Sequence, residues 1–441
     1  MSTITRTLLL CALVLSACDS SPPAPTDAGG GGDAAISVDA AVDASFDAGA
    51  MTDAGLADAG LDAGPPLTDA GSTTRVVVRY AGMAGALFVR GSGGPVSWTV
   101  GAPTVAEGSD TYVWETSELT EPIEFKVLLD DATWSRGPNY HVAPGEHIEI
   151  APRFGTDDQG HVETFLASFG AAAPGGSRAV YVYLPASYDE NSAARYPVLY
   201  MQDGQNLFDP SLAFGGAEWG IDETMDAAAA GGACPDSTPC QDDAACGGAR
   251  CETFREAIVI GIANSGAARI DEYTPTVDSM YGGGMASAYL DVVIDDLIPR
   301  VDAALRTRTG PAETALVGSS LGGLFASWGG VERADVFGLV GAVSPSTWWD
   351  GRTLLDTVAS IPSHPTRALR VYVDSGDGGS AMDGWMDTHD LAAAYRTAGY
   401  TDGVDLDYVL APGHTHNEVY WRQRMPGAFA FLLGPRERAV P

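Results

Sequence analysis

From residue 74 onward the apolar positions fall into two regimes. In the first, short alternating runs occupy residues 75–80, 86–90, 111–114, 123–129 and 147–150, separated by Gly, Pro and Asp turns. That pattern predicts a small all-β sandwich over residues 74–155. In the second, near-continuous apolar runs at 178–185, 196–202 and 256–262 read as buried strands. Residues 286–307 place Tyr289, Val293, Ile294, Leu297 and Ile298 three and four apart, which predicts a helix. Strand-like runs follow at 336–343, 368–373 and 406–410, with a helical stretch at 391–397. Strands alternating with helices predict a doubly wound, mostly parallel sheet over residues 176–435.

Within that domain, residues 314–324 carry the most specific chemistry. An apolar run (315–317) leads into Gly318-x-Ser320-x-Gly322, and a helix-compatible run follows at 324–328. This is the nucleophile-elbow pattern, in which a serine sits on a strained strand-to-helix turn and the flanking glycines let strand and helix approach. It makes Ser320 the expected nucleophile, with Ser319 its bland neighbour, and the domain an α/β-hydrolase. On that fold an acid and then a histidine follow the serine. Of the seven histidines, His364, His389, His414 and His416 come after the elbow. His414 and His416 share the loop after the last expected strand, where a general base belongs, whereas His389 heads a polar helix and reads as a surface residue. The acid should follow the strand ending at Val373. Asp377 is the expected residue, with Asp374 and Asp383 the alternatives and a Ser–His pair without an acid a further one.

The N-terminus adds a location. Arg6 precedes an apolar run over 8–15 that is too short to span a bilayer, and Leu15-Ser16-Ala17-Cys18 resembles a bacterial lipobox. Residues 1–18 are therefore expected to be a lipoprotein signal peptide with lipid attached to Cys18; the alternative is an ordinary secretory signal. Residues 19–73, rich in Ala, Gly, Asp and Pro, lack Trp and Tyr. They read as a solvated tether, because such a stretch buries too little apolar surface to offset its ordering entropy. Their Asp spacing fits neither an EF-hand nor a glycine-rich calcium repeat.

Net charge decides against some partners. With 24 Lys and Arg against 58 Asp and Glu, the chain carries −34. Nucleic acid and anionic membrane surfaces are excluded as electrostatic partners, and a neutral substrate is not. Membrane contact is expected only through the lipid. Cys234, Cys240, Cys246 and Cys251 cluster in an insert at 231–252. In an exported chain two local disulfides are expected there rather than zinc, with connectivity open.

Residues 176–435 resemble the esterase D and enterochelin-esterase-like α/β-hydrolases. The resemblance rests on 200–208 (Tyr-Met-Gln-Asp-Gly-Gln-Asn-Leu-Phe), 219–222, 269–275, 317–324, 344–349, and His416 five residues before Trp421. It selects His416 over His414 as the base. It also implies an oxyanion hole made by the backbone N–H groups of Leu321 and Gln205, each worth about 3–4 kcal/mol in the transition state. Gly376 is followed by Asp-Gly-Gly, a departure from the family's acid loop. The sandwich, with Trp98, Tyr112-Val-Trp114, Trp134 and Gly137-Pro-Asn139, resembles the immunoglobulin-like starch- and glycogen-binding modules. That resemblance implies Trp98, Lys126, Trp134 and Asn139 as sugar contacts; against it, a Trp in a small sandwich is more often core.

Together these readings predict a cofactor-free, metal-free serine carboxylic ester hydrolase. Its expected substrates are small-molecule or polysaccharide esters, above all carbohydrate-linked acetyl or feruloyl groups. Siderophore trilactone hydrolysis is the alternative chemistry. A glycan-binding surface lipoprotein with an inactive hydrolase domain is the alternative class. The sequence leaves the oligomeric state open.

Overall fold

The computed structural model describes residues 73–82, 85–362, 369–379, 382–434 and 438–439. The expected signal peptide, Cys18, the tether up to residue 72, and His364 lie outside them.

The sandwich forms as the alternation predicts. Thr74–Arg79 pairs antiparallel with Thr111–Thr116 and parallel with His147–Ile150. Leu87–Gly91 pairs antiparallel with Ile123–Leu129 in a second sheet. Inward residues of both sheets, including Val76, Val78, Leu87, Val89, Phe125 and Val127, share one core. Arg438–Ala439 pairs antiparallel with His147–Ile150.

The second domain is an eight-stranded sheet. In spatial order it runs His161–Phe169, Arg178–Leu184, Ile258–Ile262, Val198–Gln202, Thr314–Ser319, Leu339–Val343, Arg370–Gly376 and Leu406–Ala411. The last six strands in that order are mutually parallel, and Arg178–Leu184 is antiparallel to both its neighbours. Successive residues alternate between two buried faces, which is why the strands read as continuous apolar runs. Leu316, Val340 and Val371 enter the core on one side, with Leu324 and Phe325 of helix Leu321–Glu332. Ala315, Val317 and Tyr372 enter the other, with Trp421 and Phe429 of helix Glu418–Leu433.

Three details depart from the pattern. The helix expected over 286–307 is Ala286–Val292 and Ile298–Ala304 joined through a π turn at Val293–Leu297. The strand expected to end at Val373 continues to Gly376. The edge strand His161–Phe169 exposes most of its residues on both faces, so its sequence carries no apolar rhythm.

Cys234 bonds Cys246, and Cys240 bonds Cys251. The insert they close is tied at its base by reciprocal backbone hydrogen bonds between Ala233 and Glu252, of 2.8 and 3.0 Å.

Candidate active site

Ser320 sits between strand Thr314–Ser319 and helix Leu321–Glu332 at φ 57°, ψ −122°, a conformation that L side chains rarely adopt. Its neighbours hold it there. Ser320 N–H donates to Val343 O at 3.0 Å, and Ser320 O accepts from Leu324 N and Ser346 N at 3.0 and 2.9 Å. A Cβ on Gly318 would lie 2.5 Å from Gly322 O, so the approach of strand and helix requires glycine at that position. The Ser320 hydroxyl lies 3.5 Å from Ser346 Oγ.

The parallel strand Val198–Gln202 ends beside the elbow. Asp203 follows in a left-handed conformation at φ 56°. Its buried carboxylate accepts two bonds from Arg269, both 2.8 Å, and one from Asn264 Nδ2 at 2.7 Å. Its backbone N–H donates to Tyr273 Oη at 3.1 Å. A Cβ on Gly204 would lie 2.3 Å from the Gly261 carbonyl carbon. These constraints fix the turn Gly204–Asn206, which contains Gln205, while Leu321 opens the helix after Ser320.

His416 Nδ1 lies 2.6 Å from Asp383 Oδ1. Asp383, not Asp377, is thus the histidine's carboxylate partner, and the reason is local. Asp377 is exposed, and its Oδ1 accepts from Gly413 N–H at 2.5 Å, tying its loop to the loop that leads to His416. Asp374 is the penultimate-but-one residue of the lengthened strand and faces the core. The chain then folds back so that Asp383 Oδ2 accepts from Gly376 N–H at 2.7 Å, at the strand's end. An acid nine residues beyond Asp374 therefore occupies the place expected of a nearer one.

Burial raises the Asp383 pKa, but the His416 hydrogen bond and charge, the Ser344 hydroxyl and the Gly376 amide together outweigh it, and the net shift is downward. Ser344 Oγ donates to Asp383 Oδ2 at 2.6 Å while accepting from Trp421 Nε1 at 3.1 Å and Arg424 Nη2 at 2.7 Å. Arg424 also donates to Asp374 Oδ2 at 3.0 Å and stands 3.7 Å from Asp383 Oδ2. Sequence reasoning did not assign roles to Ser344 and Arg424. The available signal was an Arg three residues after Trp421, on the face of the helix that also carries Met425, Ala428 and Phe429. Trp421 packs edge-on against the His416 ring at 5.0 Å. His414 instead packs on Tyr420 at 4.6 Å, and His389 is exposed.

Arg424→Met is expected to destabilise the fold by about 3–5 kcal/mol at neutral pH, because two buried carboxylates lose their cation. Removing the cation raises the folded-state pKa of both acids. The deficit should therefore shrink as pH falls and they protonate. Urea unfolding of both proteins at pH 4.5 and 7.5 checks this.

A second titration lies at the start of helix Ile221–Ala230. Burial, then Glu223 and Glu218 nearby, push the Asp222 carboxyl up to about 8, so it holds its proton at neutral pH. A raised folded-state pKa on an acid gives stability that is full below the unfolded value near 4 and declines as pH rises to about 8. The slope is at most about 1.4 kcal/mol per pH unit. Asp222→Asn should flatten it, which unfolding midpoints from pH 5 to 8 would register.

In the sandwich, Trp98 and Trp134 are 37% and 40% exposed, not core, with ring centroids 6.1 Å apart. Lys126 does not join them. Its half-buried ammonium donates to the Ser135 and Gly137 carbonyls, so it is committed to the loop and not offered to a sugar. Asn139 donates to Glu124 at 3.2 Å and lines a cavity to which neither Trp contributes.

Residues 171–432 match the family described as "Esterase: Putative esterase". The chain belongs to this esterase family. It is 23% identical over 268 residues to "Uncharacterized protein YbbA" of Bacillus subtilis (strain 168), covering 59% of this chain and 94% of that one. A solved ferulic acid esterase superposes with TM-score 0.45 at 19% identity, covering 63% of this chain and all of that one. The enterobactin esterase FES from Shigella flexneri superposes with TM-score 0.43 at 13% identity, covering 79% and 88%. The esterase is a mixed, mostly parallel α/β-hydrolase preceded by small sheets.

Proposed function

We propose that this esterase is a serine carboxylic ester hydrolase working through Ser320, His416 and Asp383. The observation that carries the reading is a strained serine elbow in the same domain as a histidine held by a buried carboxylate at 2.6 Å. Ser320 Oγ attacks the ester carbonyl as His416 Nε2 takes its proton. Asp383 on Nδ1 fixes the tautomer and stabilises the imidazolium. The backbone N–H groups of Leu321 and Gln205 receive the oxyanion. His416 returns the proton to the leaving alcohol, and water, deprotonated by His416, then releases the acid from Ser320.

For substrate, we favour a neutral carbohydrate-linked acetyl or feruloyl ester. Gln205 borders a cleft of about 370 Å³ whose lining includes Glu163, Asp209, Thr164 and Tyr181 and no basic side chain. Such walls suit sugar hydroxyls and repel an anionic, iron-loaded siderophore. Trp348, two residues beyond Ser346, is 46% exposed and offers a ring-stacking surface. The Trp98–Trp134 pair supports a role for the module in holding glycan. The lipobox supports anchoring at Cys18; loss of palmitate labelling in Cys18→Ser would test it.

The test of function is hydrolysis of p-nitrophenyl acetate, methyl ferulate and acetylated xylan by the chain. Turnover of these esters supports the reading, and their ratio ranks the acyl groups. A folded protein that leaves all three intact and opens a catecholate trilactone instead contradicts the substrate class.

A further inference from the structure

A second cavity, of about 140 Å³, lies where the β-module meets the hydrolase domain. Its hydrolase wall includes Arg195 to Pro197, Phe254 to Glu256 and Arg308. These segments precede the strands Val198–Gln202, Ile258–Ile262 and Thr314–Ser319. Asp203 and Ser320 follow the opposite ends of the same parallel strands. The cavity therefore sits at the far end of the sheet from the elbow, a strand length or roughly 15 Å away.

Its charge runs against that of the chain. Five arginines line it, Arg136, Arg153, Arg195, Arg255 and Arg308, against two carboxylates, Glu149 and Glu256. In a chain of net −34 with 24 basic residues, five in one cavity is a local inversion of sign. Four acids face the five arginines and leave one cation over. Asp158 serves both Arg136 and Arg153, Glu256 stands 4.0 Å from Arg153, Glu313 serves Arg255, and Glu149 stands 3.8 Å from Arg308. Arg195 donates to Thr307 O at 3.4 Å and has no carboxylate partner among the described residues. Lys126 senses the same field: burial first, then Arg136 and Arg153, push its ammonium down to about 8. Apart from Asn139, the remaining walls are apolar or aromatic, including Pro138, Tyr140, Tyr196 and Phe254. The space would hold roughly ten waters, which is the scale of one ring with a charged head.

We propose that this cavity binds a compact organic anion, a carboxylate or phosphate on a single ring, which bridges the module and the hydrolase domain. The arginine fork suits either oxyanion, and the aromatic walls suit the ring. Bound to the folded state alone, such a ligand raises the unfolding temperature.

The test is calorimetric titration and thermal unfolding of the full chain with benzoate, glucuronate, glucose 1-phosphate and neutral glucose, at ionic strength fixed with NaCl. Arg195→Glu, at an exposed position, is run alongside. Saturable binding of an anion but not of glucose is expected, with affinity lowered about tenfold or more in Arg195→Glu and p-nitrophenyl acetate turnover unchanged. A response to glucose 1-phosphate alone, or to the two carboxylates alone, supports the site and names its head group. No anion response beyond NaCl, equal affinity in Arg195→Glu, or binding that competes with p-nitrophenyl acetate overturns it.

Discussion

Replacing Ser320 by Ala is expected to lower kcat on p-nitrophenyl acetate by about ten-thousand-fold or more, with the fold intact. The expectation follows from what the position costs. A serine at φ 57° is held by three backbone hydrogen bonds and by a glycine that nothing larger could replace. Such strain persists where the surrounding structure imposes it, and here it lifts one hydroxyl out of the turn. Alanine accepts the same backbone as serine, so circular dichroism and the unfolding midpoint should stay close to those of the parent. Only the hydroxyl is lost.

The second large effect separates two aspartates. Asp383→Asn should cost roughly a thousandfold or more in kcat, since the amide no longer stabilises the imidazolium or fixes the proton on Nδ1. Asp377→Asn, at an exposed loop position, should stay within about twofold. The pH–rate profile adds a sign. Asp383 is held below the ordinary carboxylate range by His416, Ser344 and Gly376 against the pull of burial, so it stays ionised through the acid side of the profile. The stability it contributes is present above its unfolded value and lost as pH falls through the lower folded value. A large loss in Asp377→Asn with Asp383→Asn close to the parent would return the acid's role to Asp377.

These aspartates also mark where the sequence stopped being legible. The elbow could be read because its signal is local: strand, turn and helix are contiguous, and the glycines are needed within five residues. The sheet could be read because strands buried on both faces are apolar throughout. Asp383 could not be read by counting residues, since its place depends on a strand running three residues past its apolar run. It depends equally on a loop that folds back to bond Gly376. Asp377 is nearest in sequence, yet its carboxylate is used by Gly413. Lys126 failed for a related reason. A basic residue on a strand looked available to a ligand, but Ser135 and Gly137 turn their carbonyls toward it. Arg424 was hidden because a single charge in an apolar helix face acquires meaning only when Asp374, Ser344 and Asp383 arrive from elsewhere. The exposed Trp98–Trp134 pair lay within reach of the sequence, though exposure itself is a property of the fold.

The central claim is a covalent one, and covalent trapping tests it most directly. The chain would be treated with a fluorophosphonate and the adduct mapped by peptide mass spectrometry. One stoichiometric adduct on Ser320, with activity lost in proportion and no adduct in Ser320→Ala, is the predicted result. Full esterase activity in Ser320→Ala, or inactivation tracking an adduct on another residue, would contradict the account.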